Sequence, residues 1–478
     1  MNQPQLMALV VAAALGMSHP AFAVSDAELR DLREQVHQMK LEYEKRIEAL
    51  ERRLQQAETS AGKAEVAASR AASAADQAAV QASSRPAGEN AFNPAVSLVL
   101  NGVYSNLSRD PGGYRINGFV PTLGEVAPPS RGLSLGESEL VFAANIDPYV
   151  RGTLIAALAP DDSIGIEEGY IQTLGLSSAW ASGLTVKAGR FYSGVGYQNE
   201  LHAHARDFAD APLASKVFLG NQLAEDGVQL KWIAPTDLYL DLGVEFGRGR
   251  KFPAGPDGGR NKNGFGSSNL FAHVGGDIGS GTAWQAGLSY LSTSPQDRTY
   301  GDLDAAGIGV TNSISGRSRL WVASGVLKWA PGGNATRTSF KLQGEYFRRA
   351  ESGTLTYDTT TASLGTLTGG VASRQSGGYL QGVYQFMPQW RIGYRYDRLN
   401  SGSLALGLVD SGALSAADFP ILGKYEPTRG TLMADWSPSE FSRIRLQYAR
   451  DRSQPGAADN QVFLQYIMSL GAHGAHKF

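Results

Sequence analysis

Between Gly378 and Leu399 the chain alternates apolar and polar residues with a period of two on both arms of a hairpin. Leu380, Tyr384 and Phe386 share one parity, and Gln381 and Gln385 the other. Beyond the turn at Met387-Pro388, Trp390, Ile392, Tyr394 and Tyr396 oppose Arg391, Gly393, Arg395 and Asp397. Strand side chains alternate faces, so one face is aromatic and apolar and the other charged. The unit recurs about eight times. Sixteen alternating segments start near Ala95, Gly132, Tyr149, Ile164, Leu184, Asp226, Asp237, Ser267, Thr282, Arg317, Thr338, Ser376, Gln389, Thr428, Phe441 and Asn460.

The connections sort into two kinds. Short, turn-like ones fall at Asp147-Pro148, around Ser182-Gly183, and at Pro235-Thr236, Gly279–Gly281, Pro331–Gly333, Met387-Pro388 and Pro438-Ser439. Between them lie mostly long ones rich in Gly, Ser, Asp and Thr: Ser108–Arg131, Gly194–Glu225, Gly249–Gly266, Ser294–Gly316, Arg349–Gln375 and Asn400–Pro427. Two are shorter, Pro160–Ser163 and Arg452–Asp459. Short and long alternate in strict order, as in a transmembrane β-barrel with tight turns at one end and long loops at the other. A soluble sandwich has no reason to sort its loops this way. The predicted fold is therefore an all-β transmembrane barrel of about 16 antiparallel strands.

A different period governs the N-terminal part. Leu29, Leu32, Val36, Met39, Tyr43, Ile47, Leu50 and Leu54 recur at spacings of three and four, a heptad seam with one stutter between Tyr43 and Ile47. Ser25 and Glu28 form a capping box at its start. A seam this narrow needs a partner, and like copies supply one, so a short parallel coiled coil is expected, a trimer before a dimer. Residues 61–82 are Ala-rich, either continuing the helix or acting as a spacer, and Arg85-Pro86-Ala87-Gly88 ends the stretch. Upstream, Leu6 to Met17 is an apolar run, and Ala21-Phe22-Ala23 fits the small-x-small pattern of export-signal cleavage. The n-region lacks Lys and Arg, but the apolar run is too short to span a bilayer. The expected organisation is a signal peptide at 1–23, a periplasmic coiled coil at 24–60, an Ala-rich helix or linker at 61–91, and a barrel at 92–478.

Composition narrows the classes. The chain of 478 residues has no Cys, which removes disulfides, thiolate metal sites and thiol nucleophiles. Its 43 basic and 45 acidic residues argue against nucleic-acid binding. A mean hydropathy of −0.22 excludes a helical membrane protein but suits a barrel with a polar lumen. No Gly-x-Ser-x-Gly elbow, helical His-Glu-x-x-His or phosphate-binding Gly loop occurs in the required context, so no enzyme is expected. An energised receptor with 22 strands and a globular plug needs more chain than this one has.

The whole layout resembles a Gram-negative porin, closest to the phosphate-selective type. The resemblance covers the export signal, the helical extension and the barrel. It rests on layout, on phrases such as Lys187-Ala188-Gly189-Arg190-Phe191, and on the terminal Phe478 sharing parity with Val462, Leu464, Tyr466, Met468 and Leu470. The segment Gly471–His476 interrupts that last pattern. The resemblance implies outer-membrane lipid as the environment, a homotrimer, small solutes as cargo and an inward-folded third loop.

Two sets of residues are candidates for function. On the polar parity near the short-turn ends lie Arg151, Lys187, Lys231, Lys328, Lys341, Arg391, Arg395, Arg443 and Arg445. Rings of basic side chains select anions in a pore, although such charges also serve as solvated wall residues. Within Gly194–Glu225 stand His202, His204, Arg206, Asp207 and Asp210. His-x-His on an extended backbone points both imidazoles one way, half of a zinc-type divalent metal site, with Asp207 or Asp210 as an oxygen ligand. The other reading makes these the polar residues of a constriction. His473 and His476 form a second, sparser pair. Three functions follow: a passive channel for small polar or anionic solutes, a substrate-specific or metal-linked uptake channel, or a barrel anchoring a periplasmic coiled coil.

Overall fold

The computed structural model describes residues 95–122, 126–174, 183–255 and 263–471, together with nine helical residues between Glu34 and Glu48. The export signal, the seam leucines, the Ala-rich stretch, His473, His476 and Phe478 lie outside the described residues. Two compact units divide at Ala91. In the first, Glu34, His37, Gln38, Leu41, Glu42, Glu44, Lys45, Arg46 and Glu48 are helical and exposed.

The second unit is a sheet closed on itself. Its strands are β1 (Ala95–Leu107), β2 (Gly132–Leu135), β3 (Ser138–Asn145), β4 (Val150–Leu158), β5 (Ile164–Thr173), β6 (Leu184–Tyr192), β7 (Ala224–Ile233), β8 (Tyr239–Gly247) and β9 (Ser267–Ile278). They continue as β10 (Thr282–Thr293), β11 (Arg298–Leu303), β12 (Gly309–Trp329), β13 (Ser339–Tyr357), β14 (Leu367–Met387), β15 (Trp390–Leu406), β16 (Thr428–Ser439), β17 (Ser442–Arg452) and β18 (Asp459–Gly471). Of these eighteen, β2 and β11 are short flanking pieces, which leaves a closed antiparallel barrel of sixteen strands. Closure is made by β1 and β18, in register from Ser97 opposite Gly471 to Leu107 opposite Gln461. Closing the sheet pairs its first strand with its last, so the sixteen-strand barrel has no edge strand.

The alternation read from the sequence sorts the faces. Trp390, Ile392, Tyr394 and Tyr396 are each 41–50% exposed on the outside of β15, whereas Arg395 and Asp397 are fully buried on the inside. Leu432, Leu446, Tyr448, Leu464 and Tyr466 extend the exposed apolar surface over β16–β18. Trp390 and Trp436 stack with centroids 5.8 Å apart at the edge nearest the short turns. Polar side chains fill the other face, among them Asn101, Gln343, Gln381, Thr431, Gln447, Gln461 and Gln465. Among the described residues no helix is long and apolar enough to cross a membrane, which says nothing of strands.

The described short connections gather at one end of the barrel, the turn end, and the long ones at the other, the loop end. The long ones are less irregular than their composition suggests. The strands β12, β13, β14 and β15 run for 21, 19, 21 and 17 residues, well into the stretches expected as loops. A spanning strand needs only about 9–11 residues. The extra ladder positions are Gly-, Ser- and Thr-rich, such as Ser352-Gly353-Thr354 and Thr368-Gly369-Gly370, which hides their alternation. Above them Tyr357, Leu408, Leu414, Phe419, Ile421 and Leu422 pack into an apolar cluster, so the loop end is a folded cap.

Candidate functional site

The connection from Ser193 to Leu223 joins neighbouring strands β6 and β7, yet it does not stay beside them. It enters the barrel and reaches the opposite wall. Its last third holds the helix α1 (Leu213–Leu219), every residue of which is buried. Gly220, at φ 65°, takes the left-handed conformation that ends a helix without a Cβ clash. Leu213, Val217 and Phe218 pack on Leu291, Leu320, Val322, Phe347 and Leu399 of the wall and on Phe119 of the first long connection. Phe218 stacks on Phe347 at 5.7 Å and meets Phe119 edge-on at 5.8 Å. Full burial of each such side chain contributes roughly 1.5–3 kcal/mol. This is what seats the connection in the lumen.

Hydrogen bonds anchor the start of the connection. Glu245 of β8 accepts from the Gly194 amide at 2.8 Å, and Glu345 of β13 accepts from the Tyr197 amide at 2.7 Å. Gly196 sits at φ 71°, and a Cβ there would lie 2.2 Å from Glu345 Oε1. Only glycine satisfies both the backbone angle and the close approach.

On the far wall the connection contributes anions and the strands contribute cations. Asp207 accepts hydrogen bonds of 3.0 Å from Lys341 Nζ and from Arg391 Nη1. Asp210 accepts from Arg395 Nη2 at 3.1 Å, from Gln447 Nε2 at 2.9 Å and from Arg429, with Lys216 Nζ 3.7 Å away. Burial alone raises the affinity of both carboxylates for protons. The surrounding cations outweigh that, with Lys341 and Arg391 around Asp207 and Arg429 and Arg395 around Asp210, and hold both well below the usual carboxylate range.

On the near wall the polarity reverses. His202 Nε2 lies 3.1 Å from Glu168 Oε2, and His204 Nδ1 lies 2.8 Å from Glu139 Oε1. His202 Nδ1 lies 3.1 Å from Glu139 Oε2 and 3.3 Å from Glu167 Oε2, in ion-pair contact with both. Burial favours the neutral ring of His202, yet Glu139, Glu167 and Glu168 together raise its pKa well above the ordinary value. The two rings stack at 5.8 Å with an interplanar angle of 29°. The backbone between them is a 3-10 turn, Ala203–Ala205, rather than the extended segment the His-x-His spacing predicts.

The expected site residues are therefore divided. Asp207 and Asp210, expected as oxygen donors beside the histidines, are held instead by the arginines of β15 and β16. The carboxylates beside the histidines are Glu139 of β3 and Glu167 and Glu168 of β5. Consecutive glutamates on a strand point to opposite faces, so sequence alternation separates this pair. A bulge reunites them: Ile155 of β4 pairs with Glu168 and Ala156 with Ile166, leaving Glu167 as the extra residue. The signal available in the sequence was the doublet itself, in a strand otherwise poor in charge.

The basic wall residues differ in surroundings. Arg151 is exposed on β4. Lys187 is buried, with its ammonium 4.5 Å from the centroid of the Tyr170 ring. Lys231 pairs with Asp241 at 2.7 Å. Arg391 is held by Asp435 as well as Asp207. Arg395 and Arg445 are fully buried beneath the connection, Arg445 donating to the Arg206 carbonyl at 2.9 Å and Arg395 resting on the Phe208 ring at 4.8 Å. Arg206 donates to Gln222 at 2.6 Å. Arg443 is half-buried, and its Nε and Nη1 have no hydrogen-bond partner. Cavities flank the connection. One of about 540 Å³ on the loop-end side is lined by Glu167, Tyr192 and Gln222, and one of about 440 Å³ on the turn-end side by Tyr197, Lys231 and Trp284. A third, of about 470 Å³, is lined by Lys328, Lys341, Arg391 and Asp277.

No family model matches the chain. It is similar to a protein of Aquifex aeolicus (strain VF5), described as uncharacterized, at 28% identity over 428 residues, which is 82% of this chain and 81% of that one. Among solved structures it is similar to a loop-deletion mutant of OmpT, an outer membrane protein of Vibrio cholerae (10% identity, 78% of this chain, 98% of that one, TM-score 0.46). Pseudomonas putida OprB is similar at 12% identity, with 79% of this chain and 94% of that one covered and a TM-score of 0.45. An anion-selective porin from Comamonas acidovorans is similar at 10% identity, covering 78% and 98% of the two chains with a TM-score of 0.44.

Proposed function

We propose that this chain is an outer-membrane channel for passive diffusion of small polar or anionic solutes, its N-terminal helix lying in the periplasm and assembling a homotrimer. The observation that carries the reading is the closed sixteen-strand barrel, apolar and aromatic outside and polar inside, with one connection laid across its lumen. In hydrocarbon every backbone polar group must be paired internally, and a closed barrel satisfies that requirement. The crossing connection narrows the lumen and leaves cavities on both of its sides. The cavity of about 470 Å³, where Lys328, Lys341 and Arg391 outnumber Asp277, supports a preference for anions, since fixed cations at a constriction lower the energy of a passing anion. The even strand number puts both barrel ends at the turn end. The heptad seam from Leu29 to Leu54 supports the trimer.

The experiment is conductance of the purified protein in planar bilayers, with reversal potentials in a KCl gradient. Discrete steps with a reversal potential on the anion side are expected. A barrel that inserts and passes no current overturns the reading and leaves an anchor for the helix.

A further inference from the structure

The cluster where the crossing connection meets β3 and β5 has the arrangement of a cation site. We propose that Glu139, Glu167 and His202 bind a divalent transition-metal ion of the zinc class, with Glu168 and His204 as positioning residues.

Three donor groups converge there: one ligand atom each of Glu139, Glu167 and His202 lies within 4.8 Å of the other two. The nitrogen is 3.1 Å from one oxygen and 3.3 Å from the other. Ligands at about 2.0–2.1 Å from a tetrahedral zinc ion lie about 3.3 Å apart, so both separations suit one ion between them. Both His202 Nδ1 and Glu167 Oε2 are shielded from solvent and make no well-formed hydrogen bond, their contacts being with the other donors of this cluster.

The surroundings point the donors at that spot. Glu168 Oε2, at 3.1 Å from His202 Nε2, accepts the hydrogen of that nitrogen, so Nδ1, which faces the two carboxylates, is the atom left to ligate once an ion displaces its proton. A carboxylate on the far nitrogen of a metal-bound imidazole is the usual means of fixing its tautomer. His204 Nδ1, at 2.8 Å from Glu139 Oε1, orients Glu139 in the same way. Each wall strand is thus tied to the connection by a ligand and a residue that aims it.

Charge and donor type select the ion. Glu139, Glu167 and Glu168 bring three carboxylates beside the His202 ring, and even a protonated His202 leaves them an excess of negative charge that a dication reduces. One nitrogen and two oxygens suit zinc and its first-row neighbours. Calcium takes about 6–8 oxygens and finds too few here. Glu167 also lines the cavity of about 540 Å³, so the fourth position opens toward a space that water or a solute can enter. A bound ion would pin the connection to the near wall, as Asp207 and Asp210 pin it to the far one.

The test uses the full-length protein in detergent, stripped with a chelator and dialysed against Zn²⁺ and, separately, Co²⁺. One Zn²⁺ per chain is expected, retained when His473 and His476 are both replaced by Ala. Glu167→Gln and His202→Phe should each weaken binding by about 100-fold or more. Glu168→Gln should weaken it by about 10–100-fold, as loss of such a partner does. Glu168→Asp should restore most of that loss, and the Co²⁺ absorption spectrum should change in Glu168→Gln, which a purely structural role would not produce. X-ray absorption of the zinc-loaded protein should report one imidazole and carboxylate oxygens. Glu139 is only 1% exposed and its variant risks misfolding, so Glu167, on the bulge, carries the test, with heat-shifted gel migration confirming an intact barrel. Unchanged binding in Glu167→Gln and His202→Phe, or no zinc retained after dialysis, overturns the site. Binding is read without ion flux, so it stands or falls separately from the channel.

Discussion

Arg391 of β15 and Asp207 of the crossing connection meet inside the barrel, the guanidinium Nη1 donating to the carboxylate at 3.0 Å across a sequence separation of 184 residues. The aspartate also accepts from Lys341, so one acid contacts two wall cations beside the cavity of about 470 Å³, and Asp435 is the second acid on Arg391. Asp207→Asn keeps the shape and removes the charge. The reversal potential should then move toward anion preference at about 0.1 M salt, where the screening length is about 10 Å, and the shift should shrink at about 1 M, where it is about 3 Å. Seating of the connection should weaken by roughly 1–3 kcal/mol, because the buried cations lose a charged acceptor. A reversal potential unchanged at low salt would mean that permeating ions do not pass this pair.

Phe218 tests whether the connection narrows the pore. Its ring lies between Phe119 and Phe347 with no exposed surface. Truncating a buried Phe to Ala costs about 3–5 kcal/mol. That loss falls on the contact between α1 and the wall, while the strand ladders are untouched. Phe218→Ala should therefore keep the heat-modifiable migration of the barrel, raise single-channel conductance and expose the segment Gly194–Glu225 to protease. Conductance and cleavage equal to the parent's would show that α1 is held by other contacts.

What the sequence made legible follows from period and punctuation. The two-residue period of Trp390–Asp397 announces which face of β15 is wet, and the Pro- and Gly-containing turns locate hairpins such as β12–β13 and β14–β15. Period does not tell which polar residue lies across a lumen. Asp207 and Asp210 stand close to His202 and His204 in sequence, and the connection turns them to opposite walls. Glu139, Glu167 and Glu168 were hidden for a second reason. They sit on a strand start and a bulge, where alternation fails as a guide. The upper parts of β12–β15 were masked by Gly and Ser, whose small side chains leave no apolar signal.

Sidedness is open to a direct check. Tags inserted at the tip between β13 and β14, near Thr360, or within Asn400–Pro427 should be reachable on whole cells. Tags at Pro331–Gly333 should be reachable only after the membrane is opened. Labelling of the short turns on intact cells would reverse the orientation and with it the placement of the helix in the periplasm.

The seam can be broken without touching the barrel. In the full-length protein Leu32→Asp with Leu50→Asp puts charge at two seam positions. Native-mass or light-scattering measurements should show the proposed trimer weakened or lost, with an unchanged β-rich circular dichroism spectrum. A trimer of parental stability would place the subunit contacts on the barrel exterior.

Lys216 gives the pH dependence its sign. It lies on α1, 3% exposed, and burial pulls its pKa down to about 8 in spite of the attraction of Asp210. In an unfolded chain a lysine titrates near about 10.4. Between these two values the unfolded chain keeps a proton that the folded one has released. Stability from this group therefore rises as pH climbs through the window from about 8 to about 10.4, and it is lowest below about 8, where a charged ammonium stays buried. The full effect is on the order of 3 kcal/mol at most. Lys216→Met keeps the stem and removes the charge, and Asp210 retains Arg395, Arg429 and Gln447 as partners. Other lysines and tyrosines titrate in the same range, so the quantity to measure is the difference in unfolding temperature between the parent and Lys216→Met. At pH 7 the variant should be as stable as the parent or more so, and its advantage should fade as pH rises toward 10. Parallel curves for the two proteins across that range would show that Lys216 is solvated in the folded barrel and that α1 sits in a wetter lumen than its packing against Phe347 and Leu399 requires.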